Sequence, residues 1–310
     1  MTISVGIDIH KATLVAAHEG ERATTFPNTA AGITRLIAHV GQPDCIVCEP
    51  SGGYERPLLA ALHAAGLPVA RVQPHRVRAF AVSAGHAAKT DPLDARVLAR
   101  FGAVMAPRLL ATPGPDAAGW QALSTRRAQL RELHAAEQHR AAQVTDPVVR
   151  TSLEAVLAVL ATQLVTISAQ LDARIDAHLA GAHRRALLTS VPGIGATTAQ
   201  LLVAELPELG QLPAKELASL VGVAPIVHES GPRRQDAHIA GGRPRIRTGL
   251  WLPTMTAMRH NPVIRAVADR LRAAGKAHKV IVIACQHKLL TLLNAMIAHD
   301  ELWAPRPLRP

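Results

Sequence analysis

Two hydrophobic periods that cannot share one secondary structure divide this chain of 310 residues. Near the start, apolar side chains fall in short, partly alternating runs at 4–9, 13–17 and 23–26, separated by His10-Lys11 and Glu19-Gly20-Glu21, which suit hairpin turns. That pattern predicts three antiparallel strands. A helix at 30–40, a strand at 45–48, a helix at 56–65 stopped by Gly66 and a strand at 69–72 follow. From Gly114 onward the strand signals stop. Leu123, Leu130 and Leu133 mark one helix, and Asp146-Pro147 offers an N-cap and a first-turn proline to a second. In the second, Leu153, Leu157, Leu160, Leu164, Ile167, Leu171 and Ile175 recur at threes and fours, a stripe that needs a partner helix. The pattern predicts a helical hairpin with an oligomerisation role; a solvent-bridged spacer is the alternative. The last third reads as helices at 197–206, 214–221, 249–259, 263–274 and 280–298. Among them lies a stretch at 223–248 rich in Gly, Pro, Arg and His, which reads as a long functional loop or a short hairpin.

The expected architecture is α/β plus α. Residues 1–113 form a mixed domain in the element order of a ribonuclease H or RuvC-like fold, 114–183 a helical hairpin linker, and 184–310 a mostly helical C-terminal domain. Hydrophobic residues make up 48% of the chain, enough for two cores. The unbroken apolar runs, such as 280–285, fall far short of the ~20 residues of a membrane span, and no basic segment leads into an apolar stretch at the start. The expected location is cytoplasmic, with no membrane partner. Three cysteines make no disulfide framework, and Cys45 and Cys48 would point to opposite faces of one strand as small buried residues.

The formal charge of +11 is unevenly spread. Residues 1–115 hold 11 Lys and Arg against 8 Asp and Glu, residues 116–180 hold 6 against 7, and residues 181–310 hold 17 against 8. A basic domain beside a nearly neutral one points to a polyanion, since cations that neutralise phosphates release condensed counterions. Arginine outnumbers lysine, as bidentate phosphate contact favours. A solubilising surface is the bland reading. Aromatic residues are 2% of the chain, so stacking on single strands is not its main device.

Within Val5-Gly6-Ile7-Asp8-Ile9 one carboxylate interrupts an apolar strand, which is costly unless it has a metal or hydrogen-bonding partners. Glu49 ends a second apolar strand just before the turn Pro50-Ser51-Gly52-Gly53. If the two strands are neighbours, the two acids can approach one hard cation. Asp91 and Asp94 would share a helical face, although Asp91, Pro92 and Asp94 also make a good helix start without any chemistry. Pro192-Gly193-Ile194-Gly195 has the form of a helix-hairpin-helix turn, where Gly193 and Gly195 let backbone N–H groups approach phosphates; a tight turn explains it equally. Ser230 precedes Gly231-Pro232, with Arg233, Arg234, Arg243, Arg245 and Arg247 nearby to stabilise an alkoxide and phosphoryl charge, while a plain turn serine is the alternative. His228 and His238 flank it.

The strings VGIDIHKATLVAA, CEPSGGYERPLLAALHAAGLPV and AKTDPLDARVLARFG resemble the DEDD transposases of the insertion sequence 110 family. SVPGIGATTAQLLVAELPELG, LVGVAPIVHESGPRR and the segment opening at Gly275 continue the resemblance over nearly the whole chain. The chain departs from the family pattern at Pro50 and at Gln286-His287. The resemblance implies that Asp8, Glu49, Asp91 and Asp94 are the four acids of a RuvC-like site for Mg2+, or for Mn2+ in its place, and that Ser230 is the serine of the C-terminal transposase domain. It further implies excision and insertion of a mobile DNA element, guided by a structured bridge RNA. Lys276 and Lys279 join the expected nucleic-acid contacts, and a dimer or tetramer is the expected assembly. The competing readings are a metal-dependent nuclease of the Holliday-junction type and a nucleic-acid-binding regulator without catalysis.

Overall fold

The computed structural model describes residues 3–85, 91–110, 116–226, 229–230, 233–234 and 238–304. The side chains of Asp91, Ser230, Arg233 and Arg234, and all of His228, lie outside the described residues. The chain forms two compact units, Met1–Thr112 and Pro113–Pro310.

In the first unit the alternating segments become β1 (Ser4–Ile9), β2 (Thr13–His18) and β3 (Thr24–Pro27). They are followed by α1 (Ala30–Val40), β4 (Cys45–Cys48), α2 (Arg56–Ala64), β5 (Val69–Arg71), α3 (Pro74–Ser83) and α4 (Asp91–Met105). One five-stranded sheet runs β3-β2-β1-β4-β5, with β1, β2 and β3 antiparallel and β1, β4 and β5 parallel. Period-two patterning decides its faces. Val5, Ile7, Ile46 and Cys48 pack with Ile33, Leu36 and Leu58 of α1 and α2, whereas Cys45, Val47 and Ala70 pack with Val77, Leu98 and Phe101 of α3 and α4. The two cysteines thus lie buried on opposite faces, as their spacing predicts. Helix α3 was not expected. Its sequence carries little apolar periodicity, and only Val77 is buried.

The second unit contains α5 (Ala117–Ala141), α6 (Pro147–Ala177), α7 (Leu179–Thr189), α8 (Ala196–Glu205) and α9 (Ala214–Val221). The short strands β6 (Glu229–Ser230) and β7 (Arg233–Arg234) come next, then α10 (Pro244–Gly249), α11 (Trp251–His260), α12 (Pro262–Ala273) and α13 (His278–His299). Helices α5 and α6 pack together as the expected hairpin. Asp146 Oδ1 accepts from Val148 N (2.9 Å) and Val149 N (3.0 Å), a cap that contributes about 1 kcal/mol. Leu153 to Ile167 of the stripe are half-buried, and Leu171 and Ile175 enter the core of the unit with Leu188, Leu202 and Leu289. The 223–248 stretch holds the small β6–β7 hairpin, and the start expected at 249 resolves into α10 and α11. Gln286, at a departure from the family pattern, is fully buried and donates from Nε2 to Arg247 O (2.5 Å).

Counting unbroken apolar runs missed one property. Among the described residues, α6 and α13 are long and apolar enough to cross a membrane by length and composition, because isolated polar residues interrupt the runs without changing their average. Half of the apolar stretch of α13 is buried in the core of its unit.

Candidate functional site

The sheet register decides where the first two acids lie. In the parallel pair β1–β4, Gly6 stands opposite Val47 and Ile7 opposite Cys48, so Asp8 and Glu49 follow side by side at the strand ends. Alternation places both on the face that carries Gly6 and Val47, the face covered by α4.

Helix α4 lies unusually close to that face. A Cβ built on Gly6 would stand 2.0 Å from Ala95 O and 2.4 Å from Ala99 N, and one built on Gly102 would stand 2.0 Å from Ser4 Oγ. Ser4 is therefore level with Gly102 and Gly6 with 95–99, so α4 runs antiparallel to β1. A strand advances about 3.3 Å per residue and a helix about 1.5 Å. The two-residue step from Gly6 to Asp8 therefore corresponds to roughly four helical residues, which brings the level of Asp8 to the first turn and a half of α4. Asp91 and Asp94 belong to those turns.

The Asp8 carboxylate is 20% exposed and bonded on both oxygens, Oδ1 by Ile9 N at 3.0 Å and Oδ2 by His10 Nε2 at 3.1 Å. Glu49 and Asp94 are half-buried. Among the described residues no three His, Cys, Asp or Glu side chains already form a metal cage, and the Asp91 side chain lies outside them. The donor set nevertheless fits Mg2+ or Mn2+: carboxylate oxygens are hard ligands, and the register supplies two of them on adjacent strand ends facing α4.

The loop that follows Glu49 ends on a carboxylate that the residue pattern does not mark. Glu55, 5% exposed, accepts at Oε2 from Ser51 N (3.1 Å), Ser51 Oγ (2.9 Å) and Gly53 N (2.8 Å), and its Oε1 lies 3.5 Å from Arg71 Nη1. Burial pushes its pKa up, but hydrogen bonds from its own backbone, Ser51 and Gly53 outweigh that and hold it below the usual carboxylate range. Asn28 Nδ2 donates to His10 O (2.9 Å) and Tyr54 O (3.3 Å). Nothing in composition or spacing marks either residue: Glu55 turns back onto its own loop at Ser51 and Gly53, and Asn28 bonds loops 18 and 26 residues away.

In the second unit, β6 pairs antiparallel with β7 and sets Ser230 opposite Arg233. Gly193 (φ +104°) lets the α7–α8 turn rest on α11, since a Cβ there would meet Ala257 at 2.7–2.9 Å. Gly195 is the N-cap of α8, without a side-chain cap, and opens onto free space. Lys276 and Lys279 are exposed around the start of α13.

The other three arginines are engaged internally. Arg243 grips Glu208, which is nearly buried, through Nη1 to Oε2 (2.8 Å) and Nη2 to Oε1 (2.5 Å), and reaches Glu205 O at 2.9 Å. Arg245 binds Glu205 Oε1 (2.6 Å) and Ser124 O (2.9 Å), and Arg247 binds the carbonyls of Gly241 (2.8 Å) and Gly222 (3.3 Å). The sequence offers these guanidinium groups to phosphate; the fold occupies them with its own carboxylates and loop carbonyls.

Residues 5–151 match the family profile of DEDD transposases of the IS110 type, and residues 185–269 match that of the transposase IS116/IS110/IS902 family. The pilin gene-inverting protein of Moraxella bovis is 30% identical over 96% of both chains, and that of Moraxella lacunata is 28% identical over 96% of both. An uncharacterised protein of insertion element IS110 from Streptomyces coelicolor is 30% identical over 50% of this chain and 40% of its own. Both profiles and full-length similarity fall on one group, and the chain belongs to the IS110 family of DEDD transposases.

Proposed function

We propose that this transposase cuts and rejoins DNA with Ser230 as nucleophile, supported by divalent metal held between Asp8, Glu49, Asp91 and Asp94 in a RuvC-like domain. The observation that carries the reading is the β1–β4 register, which sets Asp8 and Glu49 side by side under the first turns of α4 in a chain of this family. Bound there, Mg2+ or Mn2+ supplies a positive charge that stabilises the reacting phosphoryl oxygens. Ser230 Oγ bonds to phosphorus as a backbone P–O bond breaks, its proton leaves, and the departing sugar oxygen takes one up. The phosphoserine retains the bond energy for rejoining to a second strand, so exchange proceeds without net hydrolysis. Arg233, Arg234, Lys276, Lys279 and the N–H groups at Gly193 and Gly195 hold phosphates nearby.

The outcome is excision and insertion of a mobile element, with a bridge RNA choosing the sites. Inversion, named in the two Moraxella relatives, is the same exchange performed on one molecule. Exposed Val156, Val159 and Val165 on α6 support a dimer or tetramer built on the α5–α6 hairpin.

A trapping assay tests the serine. Labelled element-end DNA, flanking RNA and Mg2+ are incubated with protein and denatured, and label attached to protein is measured. The expected adduct disappears in Ser230→Ala with DNA binding intact. An adduct that persists in that variant sinks the serine role, and cleavage without any adduct points to the metal-dependent nuclease.

A further inference from the structure

We infer that Glu55 and Asn28 are positioning residues for the two strand-end acids: Glu55 fixes the loop that leaves Glu49, and Asn28 ties that loop to the one that leaves Asp8. The inference rests on the reading of Asp8 and Glu49 as metal-holding acids.

The loop after Glu49 has little stiffness of its own. Gly52 and Gly53 adopt φ +71° and +111°, conformations open to glycine that leave the chain many alternatives. Glu55 removes those alternatives. It precedes α2 yet makes no side-chain cap to that helix; its carboxylate turns back and collects the amide and hydroxyl of Ser51 and the amide of Gly53 on a single oxygen.

Burying a carboxylate for a surface turn is costly, and the apolar packing of α2 through Leu58, Leu59 and Leu62 does not call for it. Its second oxygen faces Arg71, whose backbone stands opposite Cys48, the residue before Glu49. Glu49 is therefore held from both sides, by the strand ladder behind it and by the clamped loop ahead.

Asn28 completes the brace. Its backbone N–H is fixed to Ala12 O at 2.9 Å, and one Nδ2 group bonds the carbonyls of His10 and Tyr54. His10 lies two residues beyond Asp8 and bonds its carboxylate, while Tyr54 lies in the loop that Glu55 organises. One amide thus couples the backbone exits of both acids. Groups bonded directly to metal ligands typically change metal affinity or activity 10–100-fold when removed; Glu55 and Asn28 act one step further out, through the loop backbone, which places the expected effect at the low end of that range.

The test measures Mn2+ binding to the full-length protein by the paramagnetic resonance signal of free Mn2+, alongside DNA cleavage at rising Mn2+ and thermal unfolding. Glu55→Gln and Asn28→Ala are expected to weaken Mn2+ binding by about 10-fold or more, with cleavage recovering at high Mn2+. Ser51→Ala, which removes one of three bonds to Glu55 Oε2, loses less. A purely structural role would lower the unfolding temperature and leave the Mn2+ affinity of the folded protein in place, and that result overturns the inference. Glu49→Gln separates the two levels: if it abolishes Mn2+ binding while Glu55→Gln and Asn28→Ala bind as wild type, the brace is wrong and the metal reading stands. If Glu49→Gln binds Mn2+ normally, both fall. Should Glu55→Gln fail to fold, Asn28→Ala and Ser51→Ala decide by the same criterion.

Discussion

Replacing Gly6 with alanine tests the geometry that brings α4 to the acids. The added methyl would lie 2.0 Å from Ala95 O, 2.4 Å from Ala99 N and 2.6 Å from Leu98 Cβ. Non-bonded atoms pack best at about 3.5–4.0 Å, so α4 must retreat by roughly 1–2 Å. Two of the obstructing atoms are helix backbone, which cannot swing aside as a side chain does. Overpacking of this kind costs about 1–3 kcal/mol, and the whole helix start moves with it, carrying Asp91 and Asp94 away from Asp8 and Glu49. A misplacement of about 1 Å in reacting groups costs on the order of 100-fold in rate. The expected result is a folded protein with lowered unfolding temperature and DNA cleavage reduced about 100-fold. Gly102→Ala should be milder, because its methyl meets the hydroxyl of Ser4 and a methyl of Val47. Gly119→Ala, which meets only the end of Arg174, serves as the neutral reference. Circular dichroism melting and a cleavage time course decide. If Gly6→Ala cleaves at close to the wild-type rate, the close approach of α4 does not set the site.

Three further outcomes follow from the contacts. Arg243→Ala strands Glu208 without its bidentate partner and should destabilise the second unit by about 3 kcal/mol in urea titration; an unchanged midpoint would show the pair to be dispensable. Lys276→Ala and Lys279→Ala should leave stability alone and each reduce the slope of log affinity against log salt for DNA by about 1, a loss absent if they do not touch phosphate. Glu55 has its folded pKa depressed, so its ionised form adds stability above the unfolded pKa of about 4.3 and loses it as pH falls through the folded pKa. The stability difference between wild type and Glu55→Gln should therefore hold at neutral pH and shrink in acid below about pH 4, as denaturant midpoints will show.

The strand and helix order of the first unit was legible because period-two runs, Gly66 and the polar breaks after Ile9 and His18 act locally. Helix α1 at Ala30–Val40, β4 at Cys45–Cys48 and the Asp146 cap fall where the residues place them. Helix α3 and the α10–α11 break did not, since tertiary packing imposes them on weak local signals. The four acids could be named from motif resemblance, but the placement of Asp8 beside Glu49 depends on the β1–β4 register, and the closeness of α4 to that face on the space left by Gly6 and Gly102. Arg243, Arg245 and Arg247 show the converse. A sequence records that a guanidinium exists, and only the folded chain decides whether it faces a phosphate or Glu208, Glu205 and the carbonyls of Gly222 and Gly241. The brace through Glu55 and Asn28 was invisible for the same reason: local sequence sets backbone preference, whereas partners 18 and 26 residues from Asn28 meet only when the sheet closes.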